Sequence, residues 1–89
     1  MPRKGEINME TRVALIAIIV EKGAAVDGVN ALLHEYADKI IGRMGVPYKP
    51  KDVNIISIAI DAPQDDINTL AGKIGRIDGV SAKTVYASV

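Results

Sequence analysis

The sequence predicts an α+β fold of order βαββαβ, with a four-stranded antiparallel sheet and two helices on one face. Three observations carry the prediction. Four segments are dense in β-branched and apolar residues, and two segments between them carry apolar residues at helical spacing. The link between the second and third strand-like segments is too short for a helix. The 89 residues allow one small domain around one core.

Residues 1–9 read as a flexible arm ahead of a folded unit over residues 10–89. Residues 11–21 (TRVALIAIIVE) are apolar on both alternations, the pattern of a buried central strand. Helix one is expected over residues 26–39, where Val26, Val29, Leu33, Tyr36, Ala37 and Ile40 fall at helical spacing and Leu32 widens the stripe. Residues 40–48 (IIGRMGVPY) form a short or edge strand, marked by two glycines and Pro47. Pro47 and Pro50 bracket a turn. Residues 52–61 alternate, with Ile56, Ile58 and Ile60 on one face and Val53, Ile55, Ser57 and Ala59 on the other. Helix two starts near Pro63. Its acidic Asp65 and Asp66 come first and its basic Lys73 and Arg76 last, the polarity that suits a helix dipole. Ile67, Leu70, Ala71, Ile74 and Ile77 form its buried stripe, and Gly79 stands where a left-handed cap falls. Residues 80–89 close the chain as a strand.

With right-handed crossovers this order gives the ferredoxin-like sandwich, its first and third strands central. Two helices cover one face of such a sheet. The other face is left with one alternation of the first strand together with Val53, Ile55 and Ala59. A patch of that kind offers several kcal/mol to whatever covers it, at about 1.5–3 kcal/mol per large aliphatic side chain. Self-association through the sheet, as a dimer or tetramer, is the expected partner.

Composition excludes much chemistry. Without Cys there is no disulfide, thiolate metal site or cysteine nucleophile, and His34 alone cannot build a multi-histidine centre. Zero net charge and three scattered tyrosines argue against direct nucleic-acid binding. The eight-residue apolar run at residues 13–20 is far short of the roughly 20 needed to span a membrane. No signal core follows the basic leader, so a cytoplasmic location is expected. Ser57, Ser81 and Ser88 have no assembled base, and Asp65 and Asp66 answer to helix polarity rather than acid–base work. No enzyme, metal or cofactor is expected.

The candidate binding residues lie at glycine-flanked positions. In the first strand–helix junction (KGAAVDGVN), Gly23 and Gly28 open the backbone near a helix start, which favours an anionic group. Asp27 there serves as an alternative local cap, and Asn30 ends the run. His34 lies one turn from both Asn30 and Asp38 and reads as a solvated histidine beside an acid. Arg43 stands between glycines in GRMG, where the plainer reading is an edge bulge with Arg43 in solvent. Arg76 belongs to GKIGRIDGV, which is no phosphate loop because its glycines come late in a helix. Gly72 and Gly75 there are read as permitting close helix packing.

The strings VNALLHEYADKIIGRMGVPY, IISIAID and INTLAGKIGRIDGVSAKTVYASV resemble the small bacterial proteins named as iron-only hydrogenase system regulators, in their Thermotoga type. The resemblance runs from near Met9 to the end. It implies a ferredoxin-like fold close to the ACT domain and to the C-terminal domain of nickel-responsive regulators. Such relatives form dimers or tetramers and often bind a small effector between subunits. Nickel regulators hold metal through several His and a Cys, which this chain lacks, and the Asp-x-Pro-Gly run common in ACT domains is replaced by KGAAVDG. No helix-turn-helix is present for direct control of DNA.

The function expected is a non-enzymatic regulatory module that homo-oligomerises and holds a small anionic effector between subunits. Its residues would be Gly23, Asp27, Gly28 and Asn30, with Arg43 or Arg76 of a neighbour as counter-charge. The alternative is a protein–protein assembly or adaptor domain with no small ligand.

Overall fold

The computed structural model describes residues 10–88, and the expected N-terminal arm lies outside them. The elements are β1 (Thr11–Val20), α1 (Val26–Glu35), β2 (Ile40–Tyr48), β3 (Val53–Pro63), α2 (Gln64–Gly75) and β4 (Val80–Tyr86). The strands form one antiparallel sheet in the order β2-β3-β1-β4, the ferredoxin-like arrangement with the first and third strands central.

Strand periodicity decides which residues meet the helices. Ile16 of β1 lies opposite Ile58 of β3, and Ile18 opposite Ile56, so their side chains share a face. That face is buried: Ala14, Ile16, Ile18 and Val20 line up with Ile56, Ile58, Ile60 and Ala62. Helical spacing supplies the other half of the core. Val29 and Leu33 come from α1, and Ile67, Leu70 and Ile74 from α2. No charged or polar residue is buried among the described residues.

One corner of the sandwich is pinned by Arg12. Its guanidinium lies 4.3 Å from the centre of the Tyr86 ring and donates to Gln64 Oε1 at 3.1 Å. The Tyr86 hydroxyl donates in turn to Asn68 Oδ1 at 2.6 Å. Together these contacts tie the start of β1 to the end of β4 and the first half of α2.

Four details differ from the sequence expectation. Helix α1 stops at Glu35 rather than Lys39, and Ala37–Lys39 forms a 3-10 turn. Since β2 starts at Ile40, a helix running through Lys39 would leave no residues in which to reverse direction. Gly79 has the positive φ expected of it, +82°, but α2 ends three residues earlier with Arg76 in right-handed conformation. The glycine forms the turn into β4, where its carbonyl accepts the Glu21 N–H at 2.7 Å. Gly72 and Gly75 do not bring helices together, because both lie off the Ile67–Leu70–Ile74 stripe. Gly75 faces open space, and a side chain begun on Gly28 of α1 would meet Ile77 Cδ1 at 3.7 Å, an ordinary contact. The last strand ends at Tyr86, short of the expected span.

Candidate functional site

The sheet face away from the helices is apolar. In β1 it carries Val13, Leu15 and Ile19, which are 39%, 45% and 37% exposed. The register sets Ile19 beside Ile55 of β3, and Ile55 beside Val46 of β2. Leu15 lies between Ala59 and Val85, and the latter is 66% exposed. Met44 and Tyr48 extend the patch along β2. At its end a shallow hollow of about 300 Å³ is lined by Val13, Leu15, Ala59, Val85 and Ala87 among others. Monomeric proteins seldom expose so continuous an apolar surface.

A second concavity, of about 240 Å³, lies on the helix side of the sheet between α1, the 3-10 turn and β2. Leu33, Ala37 and Ile40 give it an apolar lining, and Asn30, His34 and Arg43 give it polar groups. Helix spacing puts Asn30, Leu33, His34 and Ala37 on one flank of α1 and its extension. Arg43 arrives from β2. It pairs with Ile58, whose side chain is buried under the helices, so Arg43 points to the helix side as well. A bulge between Ile40 and Gly42 sets that phase. Arg43 Nη2 donates to Asn30 Oδ1 at 2.9 Å.

Of the six binding residues expected from sequence, the structure brings Asn30 and Arg43 together and adds His34 to them. Arg43 is exposed beside the edge bulge, as the plainer sequence reading has it, and within the chain its guanidinium meets the Asn30 amide. Gly23, itself exposed, starts a 3-10 turn, Gly23–Ala25, outside this pocket. Asp27 is exposed in the first turn of α1 but does not cap it; the cap position is Ala25, which has no side-chain acceptor. Gly28 is exposed in the first turn of α1 and does not line this pocket. Arg76 folds back at the far end of α2, its guanidinium 3.9 Å from where a side chain on Gly72 would begin.

The junction is also a poorer anion site than its glycines imply. Its one cation, Lys22, bonds the Asp78 carboxylate at 2.5 Å. The hydrogen bond and the charge of Lys22 hold the Asp78 carboxyl below its ordinary range. The same partner raises the Lys22 ammonium. The hydrogen bond leads in both cases. His34 was legible as a neighbour of Asn30 on the helix. What sequence could not place was Arg43, because its direction depends on the bulge.

No curated protein of known function matches the sequence. Among solved structures, the uncharacterized protein TM1266 from Thermotoga maritima superposes with a TM-score of 0.85 at 35% identity, over 89% of this chain and 100% of that one. The C-terminal domain of the MgtC protein from Mycobacterium tuberculosis gives 0.70 at 12% identity, over 92% and 93%. A formyltetrahydrofolate deformylase from Pseudomonas putida KT2440 gives 0.56 at 16% identity, over 83% of this chain but 28% of the enzyme. The last two show the fold alone. A family model covering residues 12–84 also matches, that of the TM1266-like proteins, which carry the provisional description iron-only hydrogenase system regulator. With both the family model and a full-length relative matched, the chain belongs to the TM1266-like family.

Proposed function

We propose that the protein is a non-catalytic regulatory subunit that self-associates through the open face of its sheet and holds a small anionic effector. The observation that carries the reading is the open face itself. Seven large apolar side chains on it are between 37% and 66% exposed. Covering what remains exposed is worth about 1 kcal/mol for each. In a two-fold pair both copies contribute, so the gross gain of about 14 kcal/mol is comparable with the roughly 4–15 kcal/mol that association costs.

The non-catalytic part of the reading is supported by dispersal. Ser57 and Ser81 share the open face with Ala17 and Ile19, while His34 stands on α1 across the sheet. No nucleophile and base meet there. The effector part rests on the Asn30–Arg43 pair. The family description supports a regulatory role, and membership gives no reaction.

Sedimentation equilibrium tests the assembly. Wild type is expected to form a dimer or tetramer, and Leu15→Lys and Val46→Lys, both at exposed positions, are expected to run as folded monomers. A wild type that stays monomeric would overturn self-association and favour an adaptor docking a different protein on the same face. For the effector, melting curves are recorded with amino acids, nucleotides, carboxylates and inorganic phosphate. At least one anion should raise the melting temperature, and no rise with any of them would remove the sensing role.

A further inference from the structure

The pocket between α1 and β2 has a divided chemistry. Leu33, Ala37 and Ile40 offer it an apolar lining, and its rim holds one guanidinium, one imidazole and one amide. Arg43 commits one N–H to Asn30. A guanidinium has about five such donors in a planar fork, so most of the fork stays available while the bond to Asn30 fixes its orientation. That fork matches the two oxygens of a carboxylate. No Asp or Glu lines the pocket, so it offers an ammonium group no counter-charge.

We propose that this pocket binds a short aliphatic carboxylate that carries no amine. The carboxylate sits on the Arg43 fork, with N–H groups of Asn30 and His34 as side donors, and the alkyl chain covers Ala37 and Ile40. The volume, about 240 Å³, is below the roughly 300 Å³ at which pockets for drug-sized ligands begin, which suits a compound of a few carbons. Inorganic phosphate satisfies the fork but leaves the apolar lining in water. An α-amino acid of the same length brings an ammonium beside the Arg43 guanidinium, a like charge that no carboxylate in the pocket offsets. The proposal rests on the effector reading above and names its ligand class. Every lining residue comes from one chain, so binding does not require the assembly.

Three probes separate the alternatives: butyrate, 2-aminobutyrate and inorganic phosphate, each titrated into the ¹⁵N-labelled full chain and followed by amide chemical shifts. Butyrate is expected to move the amides around Asn30, His34 and Arg43 and to bind at least tenfold more tightly than the other two. Arg43→Ala, an exposed edge-strand substitution, should weaken butyrate at least tenfold, and Leu15→Lys should leave it unchanged. Equal or tighter binding of 2-aminobutyrate or phosphate at these amides would overturn the ligand class and leave the effector reading standing. Shifts confined to another surface would overturn the site. Silence from all three probes would overturn the proposal, and only silence from the wider melting screen would take the effector reading with it.

Discussion

Single residues set limits that the pattern of apolar positions does not. Gly79 is one. Its φ of +82° is strained for any residue with a side chain, and a Cβ there would lie 2.7 Å from Lys22 Cγ. Left-handed backbone costs an L-residue about 1–2 kcal/mol. Gly79→Ala is therefore expected to lower the unfolding free energy by about 1–2 kcal/mol, read from urea denaturation. Gly75 is the contrast. It faces open space in the last turn of α2, where Ala is the better helix former, so Gly75→Ala should raise stability by up to about 1 kcal/mol in the same assay. Sequence reading foresaw the left-handed glycine from its place after a helix. It could not foresee the Lys22 stem lying across it, because that contact joins two turns at opposite ends of the chain. His34 shows the same limit: its neighbours on α1 were legible and its neighbour on β2 was not.

At the scale of elements, the sheet divides into a committed half and an exposed half. β1 and β3 are hydrogen-bonded on both sides and bury every second side chain. β2, at the edge, buries none of its nine residues fully. Edges with this profile open locally at low free energy, whereas central strands exchange their amide hydrogens only when the whole domain unfolds. Native-state hydrogen exchange on the Leu15→Lys monomer should show Ile16, Ile18 and Ile58 among the slowest amides and alternate amides of β2 exchanging orders of magnitude faster. Uniformly slow exchange across β2 would contradict this division. The strands were legible because their β-branched residues and alternation leave little choice, and β2 was found to the residue from its glycines and Pro47. The end of α1 was not, because Tyr36, Ala37 and Ile40 continue the helical spacing while the chain needs those positions to turn.

For the whole molecule, the proposed self-association would join assembly and stability in one equilibrium. If two copies bury the open face, unfolding must first separate them, and the melting temperature rises with protein concentration. We expect that rise in wild type over a hundredfold concentration range, with Leu15→Lys flat across it, both followed by circular dichroism. The apolar face was legible in outline, since β1 is apolar on both alternations and two helices cover only one. Which alternation stays outside was settled only by packing: Ala14, Ile16, Ile18 and Val20 went in, and Val13, Leu15, Ala17 and Ile19 stayed out.

The strand order has a consequence during synthesis. β1 is made first, yet both of its neighbours in the sheet come later: Val20 pairs with Asn54 and Val80, and Thr11 waits for Pro63. At about 5–20 residues per second, the gap before β3 has followed lasts on the order of seconds. Through that interval residues 13–20, apolar, uncharged and largely β-branched, lack both of the strands that flank them in the folded sheet. Such a segment pairs readily with copies of itself. Its guards are Arg12 on one side and Glu21 and Lys22 on the other, charges that an apolar strand excludes from a stacked pair. The residues that make β1 the centre of the folded sheet also make it the part of the chain most in need of protection before the sheet exists.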